Sequence, residues 1–247
     1  MSEAERPGVC LVIGAGDGLG AAVARAFARE GLAVCVTRRP RHLEAVEKLA
    51  ESIRADGGEA HGLGLDARVE ADVSAAIERI ERTIGPLEVL VFNIGANVRF
   101  PIVETTARVY SKVWEMACLA GFLTSREAAR AMAQRGRGTI LFTGATASVR
   151  GGSGYSAFAG AKHGLRALAQ SLARELGPKG VHVAHVVIDG AIDGAFIRGL
   201  LPDGAEKLAR EEILVPDEIA RNYVWLWRQK RSAWTFEMDL RPWAETW

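Results

Sequence analysis

The chain has 247 residues, 49% hydrophobic and 25% charged, the balance of an ordinary globular protein with a sizeable core. Its formal net charge is +1, so no global field draws it to nucleic acid or to a membrane surface. Apolar runs such as 183–188 are strand-sized and far short of a bilayer span. The polar start, MSEAERPG over 1–8, lacks the form of a secretory signal peptide. Cys10, Cys35 and Cys118 are too few and too scattered for a disulfide framework or a zinc site. A reduced, cytoplasmic protein without a metal is expected, its cysteines serving as small core residues.

Taken in order, the first element is Val9–Ile13, a continuous apolar run of the kind that is covered on both faces of a sheet. Glycines follow, then a helical stretch over 21–30 that ends at Gly31. The pattern predicts a strand over 32–37, a helix over 41–55, a strand over 60–65, a helix over 69–84 and a strand over 87–92. The second half continues with a long helix over 110–135, a strand over 138–143 and a helix over 158–176 stopped by Gly177-Pro178. A strand over 181–188 and a helix over 217–228 complete the alternation. His182 and His185 fall on opposite faces of their strand and read as packing residues. In the last stretch Trp234, Phe236, Met238 and Leu240 alternate as one apolar face of a strand. Trp243 and Trp247 are left to cap a pocket or to meet a neighbouring subunit.

Repeated strand–helix alternation implies an α/β fold, one Rossmann domain over 1–247 with a doubly wound, mostly parallel sheet. Ligands of such sheets sit at the carboxyl ends of the strands, near the point where strand order reverses. Gly14-Ala-Gly16-Asp17-Gly18-Leu19-Gly20 directly follows the first strand and opens the first helix. Glycines let the main chain approach a pyrophosphate, and a helix N-terminus offers it free N–H groups. In a βαβ setting this is a dinucleotide signal, whereas a glycine cluster alone is weak.

The spacing Gly14-x-x-x-Gly18-x-Gly20 resembles the short-chain dehydrogenase/reductase family, and further matches follow in order. Asp66 matches the family's adenine-contacting aspartate, and Asn93-Ile-Gly95-Ala96 resembles the motif that braces sheet and cofactor. Val215-Pro-Asp-Glu-Ile-Ala220 resembles the start of its last major helix, so the likeness spans roughly residues 8–230. It implies a nicotinamide cofactor, a small-molecule substrate, and a homodimer or homotetramer. Thr37 stands where a carboxylate would hold the ribose of NAD(H), and Arg38 and Arg39 follow. Guanidiniums suit a 2′-phosphate, which favours NADP(H), although Asp17 would oppose that phosphate unless Arg38 neutralises it. Solvated arginines at a helix entrance are the competing reading.

The family's catalytic set of Asn, Ser, Tyr and Lys survives here only as Lys162. Phe158 takes the tyrosine position, Ala145 the serine and Cys118 the asparagine. The family's Pro-Gly after the sixth strand is Asp189-Gly190, Ile192 stands where a backbone group meets the carboxamide, and its later threonine is Gly194. Tyr155 precedes Lys162 by seven residues, a spacing similar to that of enoyl-thioester reductases. There the phenol would stabilise the developing enolate oxygen, and Lys162 would hold the ribose hydroxyls. The glycine loop lacks that branch's longer spacing, and Tyr155 reads equally as a loop aromatic over the pocket. Thr143 and Thr146 offer hydroxyls near the lost serine, if they are not simply buried and backbone-satisfied. Arg99 is a candidate for an anionic substrate or a surface cation. Residues 193–214 occupy the family's mobile lid, where Phe196, Ile197, Leu200 and Leu201 would line an apolar site or pack the lid.

Two functions from different classes are expected. One is an NADP(H)-dependent oxidoreductase reducing a carbonyl or conjugated enoyl substrate. The other is a catalytically impaired nucleotide-binding protein with a sensing or assembly role.

Overall fold

The computed structural model describes residues 6–200 and 203–246, except the side chains of Phe196 and Leu200. Seven strands form one sheet in the order β3-β2-β1-β4-β5-β6-β7. They are β1 (Val9–Ile13), β2 (Ala33–Arg38), β3 (Ala60–Gly64), β4 (Leu87–Phe92), β5 (Gly138–Thr143), β6 (Val181–Ile188) and β7 (Glu237–Leu240). Every neighbouring pair is parallel. The chain lays β1, β2 and β3 outward in one direction, then returns past β1 to begin β4. Strand order therefore reverses between β1 and β4.

Side chains alternate across each strand, which sorts the core into two layers. Cys10 and Val12 point to a layer with Phe27 of α1 (Leu19–Arg29), Val46 of α2 (Leu43–Ala55) and Tyr223 of α9 (Pro216–Trp227). Leu11 and Ile13 point to the opposite layer. It holds Ile77 of α3 (Glu70–Thr83), Met132 of α5 (Ala120–Arg135) and Leu165 of α6 (Ser156–Leu176). Because both faces are covered, β1 and β6 are buried at every position.

The expected long helix over 110–135 begins earlier and is interrupted. Helix α4 (Ala107–Trp114) runs into a wider π-turn over Glu115–Leu119 before α5 begins. Such turns insert one residue into the helical ladder and re-aim the side chains they carry. Cys118 is one of those side chains. The expected strand over 234–240 is also shorter. Trp234 stacks flat on His182, ring centroids 4.9 Å apart, and its Nε1 donates to the Gln229 carbonyl, so only Glu237–Leu240 joins the ladder. His182 and His185 do lie on opposite faces, the first against Trp234 and the second against Glu237.

The carboxyl end of β5 is tied to α9 by one buried hydrogen bond, 2.7 Å between the Thr143 and Tyr223 hydroxyls. Tyr223→Phe should leave the Thr143 hydroxyl buried without a partner. A loss of roughly 1–3 kcal/mol in urea denaturation is expected for such an unsatisfied group. An unchanged midpoint would mean that the two hydroxyls do not depend on each other.

Candidate active site

The glycine loop sits at the strand-order reversal. Asn93, directly after β4, donates from Nδ2 to the Gly14 carbonyl at 3.0 Å, and its N–H reaches the Ile13 carbonyl at 2.8 Å. The loop is thereby pinned across the crevice between β1 and β4. A Cβ at Gly20 would lie 2.6 Å from the Gly14 oxygen and 2.7 Å from the Ala15 Cα, so only glycine lets α1 start this close to the loop. Gly16 and Gly18 have nothing within 4 Å of where a Cβ would be. The cap of α1 at Gly18 has no side-chain hydrogen bond. Open space above an uncapped helix N-terminus fits a pyrophosphate, so the residues present suit a bound dinucleotide.

Two clefts meet at this loop and share the wall Asn93-Ile-Gly95. The smaller, about 220 Å³, is lined by Gly14, Gly16, Thr37, Arg38, Arg39, His42, Asp66 and Arg68. The hydroxyl of Thr37 is buried and donates to the Val12 carbonyl at 3.1 Å. Asp66 accepts from Arg68 Nε at 2.9 Å and Nη2 at 2.6 Å, and this contact holds its carboxyl below the usual range. Arg39 has no ion-pair partner among the described residues; burial and then repulsion from Arg41 and Arg68 lower its pKa. His42 is lowered too, by desolvation and then by Arg38, Arg41 and Arg39. The smaller cleft therefore holds net positive charge, with Arg38, Arg39 and Arg68 set against the single lining carboxylate of Asp66. Asp17 stands apart from it, exposed on the wall of the larger cleft and not paired with Arg38.

The larger cleft, about 690 Å³, is lined mostly by apolar atoms and by the segment that departs from the family pattern. Helix α6 starts at Ser156, with Tyr155 as its cap residue, so Phe158 and Lys162 share one face a turn apart. Lys162 is buried, and its Nζ donates to the Thr143 carbonyl at 2.8 Å and the Ile94 carbonyl at 3.1 Å. The Phe158 ring lies 6.0 Å from that nitrogen and supplies a π-face where a hydroxyl would otherwise stand. Burial pulls the Lys162 pKa down to about 8, with Cys118 opposing the shift. Burial raises Cys118 to about 11.

Tyr155 also lines the larger cleft, and no hydrogen bond reaches its hydroxyl among the described residues. Arg99 covers its ring at 5.9 Å, so this guanidinium stacks on an aromatic face. Ile192 and Ile197 line the cleft, and Ile192 bridges to Leu214. Among the described residues, the segment over 193–214 contains two short helices, α7 (Ala195–Leu200) and α8 (Gly204–Ala209). Arg198 binds Asp193 through both oxygens at 2.8 and 2.7 Å and holds its carboxyl low. The side chains of Phe196 and Leu200, and all of Leu201 and Trp247, lie outside the described residues.

Some partners of the site were not apparent from spacing. Ser148 accepts the Ala145 N–H at 3.0 Å, which fixes the loop where the family's serine would stand. Thr146, on the cleft wall, donates to Asp189 Oδ1 at 2.5 Å. Behind Lys162, Arg166 grips Glu237 at 2.6 and 2.7 Å, and Glu237 meets His185 Nδ1 at 3.0 Å. Burial pushes His185 down to about 4. The one sequence signal was Asp189 itself, a carboxylate on the strand end where proline is usual.

A glycine loop at the reversal point of a doubly wound parallel sheet, with a buried lysine across the crevice, defines a Rossmann-type protein. The chain belongs to the short-chain dehydrogenase family: the model described as short chain dehydrogenase matches residues 8–200. A short-chain dehydrogenase from Rhodopseudomonas palustris is 49% identical, with a TM-score of 0.81 over 96% of this chain and 99% of that one. A metagenomic short-chain oxidoreductase solved with NADP is 27% identical, with a TM-score of 0.80 over 95% and 96% of the two chains. In sequence, a 3-oxoacyl-[acyl-carrier-protein] reductase of Bos taurus is 32% identical over 184 residues, 74% of this chain and 75% of that protein.

Lys162 has a direct consequence for stability. A lysine whose folded pKa lies below its unfolded value costs stability while both states are charged, and that cost fades as pH rises past the folded pKa. Folding stability should therefore climb between about pH 8 and the ordinary lysine range. Guanidinium titrations of wild type and Lys162→Met should show that climb only in wild type. Parallel pH curves would disprove the burial penalty.

Proposed function

We propose that the protein is an NADP(H)-dependent oxidoreductase that moves hydride between a nicotinamide and a carbonyl or conjugated enoyl small molecule. The observation that carries this reading is the buried Lys162 ammonium beside the larger cleft, one wall away from the glycine loop. A bound nicotinamide dinucleotide would supply the hydride. Gly14, Gly16, Asp17, Gly18, Leu19 and Gly20 would cradle its pyrophosphate at the start of α1. Lys162 would hold the ribose hydroxyls near the nicotinamide, and the Ile192 backbone would meet the carboxamide. Thr37, Asp66, Asn93 and Gly95 would form the walls around the adenosine half. On an enoyl substrate, the free Tyr155 hydroxyl would donate to the developing enolate oxygen.

NADP(H) is preferred over NAD(H) because Arg38 and Arg39 line the smaller cleft, where the one carboxylate, Asp66, is already held by Arg68. The metagenomic relative solved with NADP supports the same choice. A charge-assisted hydrogen bond contributes about 1.5–3 kcal/mol, which corresponds to roughly 10–100-fold in affinity. Arg39→Ala should weaken NADPH binding by about that factor while changing NADH binding little, as read by nucleotide fluorescence. Equal losses for both nucleotides, or tighter NADH than NADPH in wild type, would reverse the preference.

A second reading, nucleotide binding without turnover, is favoured by Phe158, Ala145 and Cys118 standing together at three chemical positions. Single-turnover oxidation of bound NADPH with enoyl-thioester and ketone panels separates the two. The oxidoreductase reading expects turnover, and Tyr155→Phe should slow enoyl reduction by about 10–1000-fold if the phenol meets the enolate. Tight NADPH binding with no turnover on either panel would favour the second reading.

A further inference from the structure

The loss of serine at 145 and the gain of a carboxylate at 189 are 44 positions apart in sequence and meet in the fold. Thr146, the residue after Ala145, lines the larger cleft and hydrogen-bonds Asp189 at 2.5 Å. Asp189 follows β6 and is buried, so its carboxylate is reached through Thr146 and not directly from solvent. Its negative charge is balanced by Arg241 at 3.3 Å on the other oxygen and by Arg150 at 3.5 Å. Arg241 is in turn held by Asp239 at 2.6 Å, and Glu245 lies 3.8 Å from Arg150. The threonine proton is therefore committed to a buried carboxylate, and its oxygen remains an acceptor at the cleft wall.

We propose that Thr146 and Asp189 form the proton-transfer pair of this enzyme, replacing the absent tyrosine and serine, and that the substrate is a secondary alcohol or its ketone. This rests on the hydride-transfer reading given above. In the oxidation direction the substrate O–H donates to Thr146 Oγ1. As its proton passes to Thr146, the Thr146 proton passes to Asp189 Oδ1. The carbinol C–H bond breaks, and its electron pair and hydrogen leave as hydride for the oxidised nicotinamide. The remaining C–O bond becomes the ketone. In reduction the same atoms move in reverse: Thr146 protonates the alkoxide oxygen and takes its replacement proton from Asp189, which cleft water reprotonates through Thr146 before each turnover. Lys162 stays outside the relay, with its ammonium bound to two carbonyls. Tyr155 is not needed on this route.

The test compares wild type with Thr146→Val, Thr146→Ser and Asp189→Asn. NADP⁺ reduction with a panel of secondary alcohols and NADPH oxidation with the matching ketones are followed in single turnovers, and NADPH affinity is measured in parallel. A positioned acid–base group contributes about 10²–10⁴-fold. Thr146→Val and Asp189→Asn should lose about that much in both directions while NADPH affinity stays within about twofold. Thr146→Ser should recover most of the rate. If Asp189→Asn does not fold, judged by circular dichroism, the valine and serine variants decide the matter. Turnover of ketones by Thr146→Val at the wild-type rate would overturn the pair and leave the oxidoreductase reading intact. So would a serine variant as slow as the valine one, or turnover confined to enoyl substrates. NADPH binding with no turnover of any substrate by wild type would overturn the oxidoreductase reading, and the pair with it.

Discussion

The site is organised around the burial of one ammonium group. Lys162 is removed from water without a carboxylate partner among the described residues, and its nitrogen is satisfied by the carbonyls of Thr143 and Ile94. Those oxygens lie at the end of β5 and just beyond β4, where a parallel sheet leaves its last carbonyls unpaired. The lysine can occupy this position only if both strands end in register and α6 lies squarely across them. Leu165 packs α6 onto the sheet, and Arg166 anchors it through Glu237 to β6 and β7. Core packing and polar anchoring therefore act together on one nitrogen.

The departures from the family pattern form a connected set. With phenylalanine at 158, the lysine faces a π-cloud and not a phenol, and the residue one turn before it on that face cannot relay a proton. The π-turn before α5 turns Cys118 toward Lys162, where a buried thiol raises no competing charge. Polar function on the cleft wall shifts instead to the β5 and β6 ends, where Ser148, Thr146 and Asp189 cluster. This set lies along the same cleft as Asp17 and Gly18 of the glycine loop, whose spaced glycines are retained.

How much of this could be read from sequence depended on the range of each interaction. Strands β1, β4, β5 and β6 were legible to the residue because short, largely apolar segments between helical stretches report two-sided burial. The glycine loop was legible because its spacing reflects local backbone demands, such as the absence of room for a Cβ at Gly20. The break in the helix at Glu115–Leu119 was not, since a π-turn leaves the apolar periodicity almost unchanged. The last strand was overextended because Trp234 continues the alternation yet is drawn aside to stack on His182. Side-chain partners across long sequence gaps, such as Arg166 with Glu237 and Thr146 with Asp189, carry no local signature. They exist only once the strands are ordered.

That ordering bears on how the protein assembles. Strand β1 pairs with β4, its partner nearly 80 residues along the chain, and the two clefts are built against that seam. The glycine loop comes from the first strand and Asn93 from the fourth, so a fragment holding only one of them has half of a wall. Closing so large a chain loop carries an entropic cost that the contacts across the seam must offset. A nucleotide that grips both sides of the seam would stabilise the joined state alone, so ligand affinity and the cooperativity of the central sheet should be coupled through the same pair of strands.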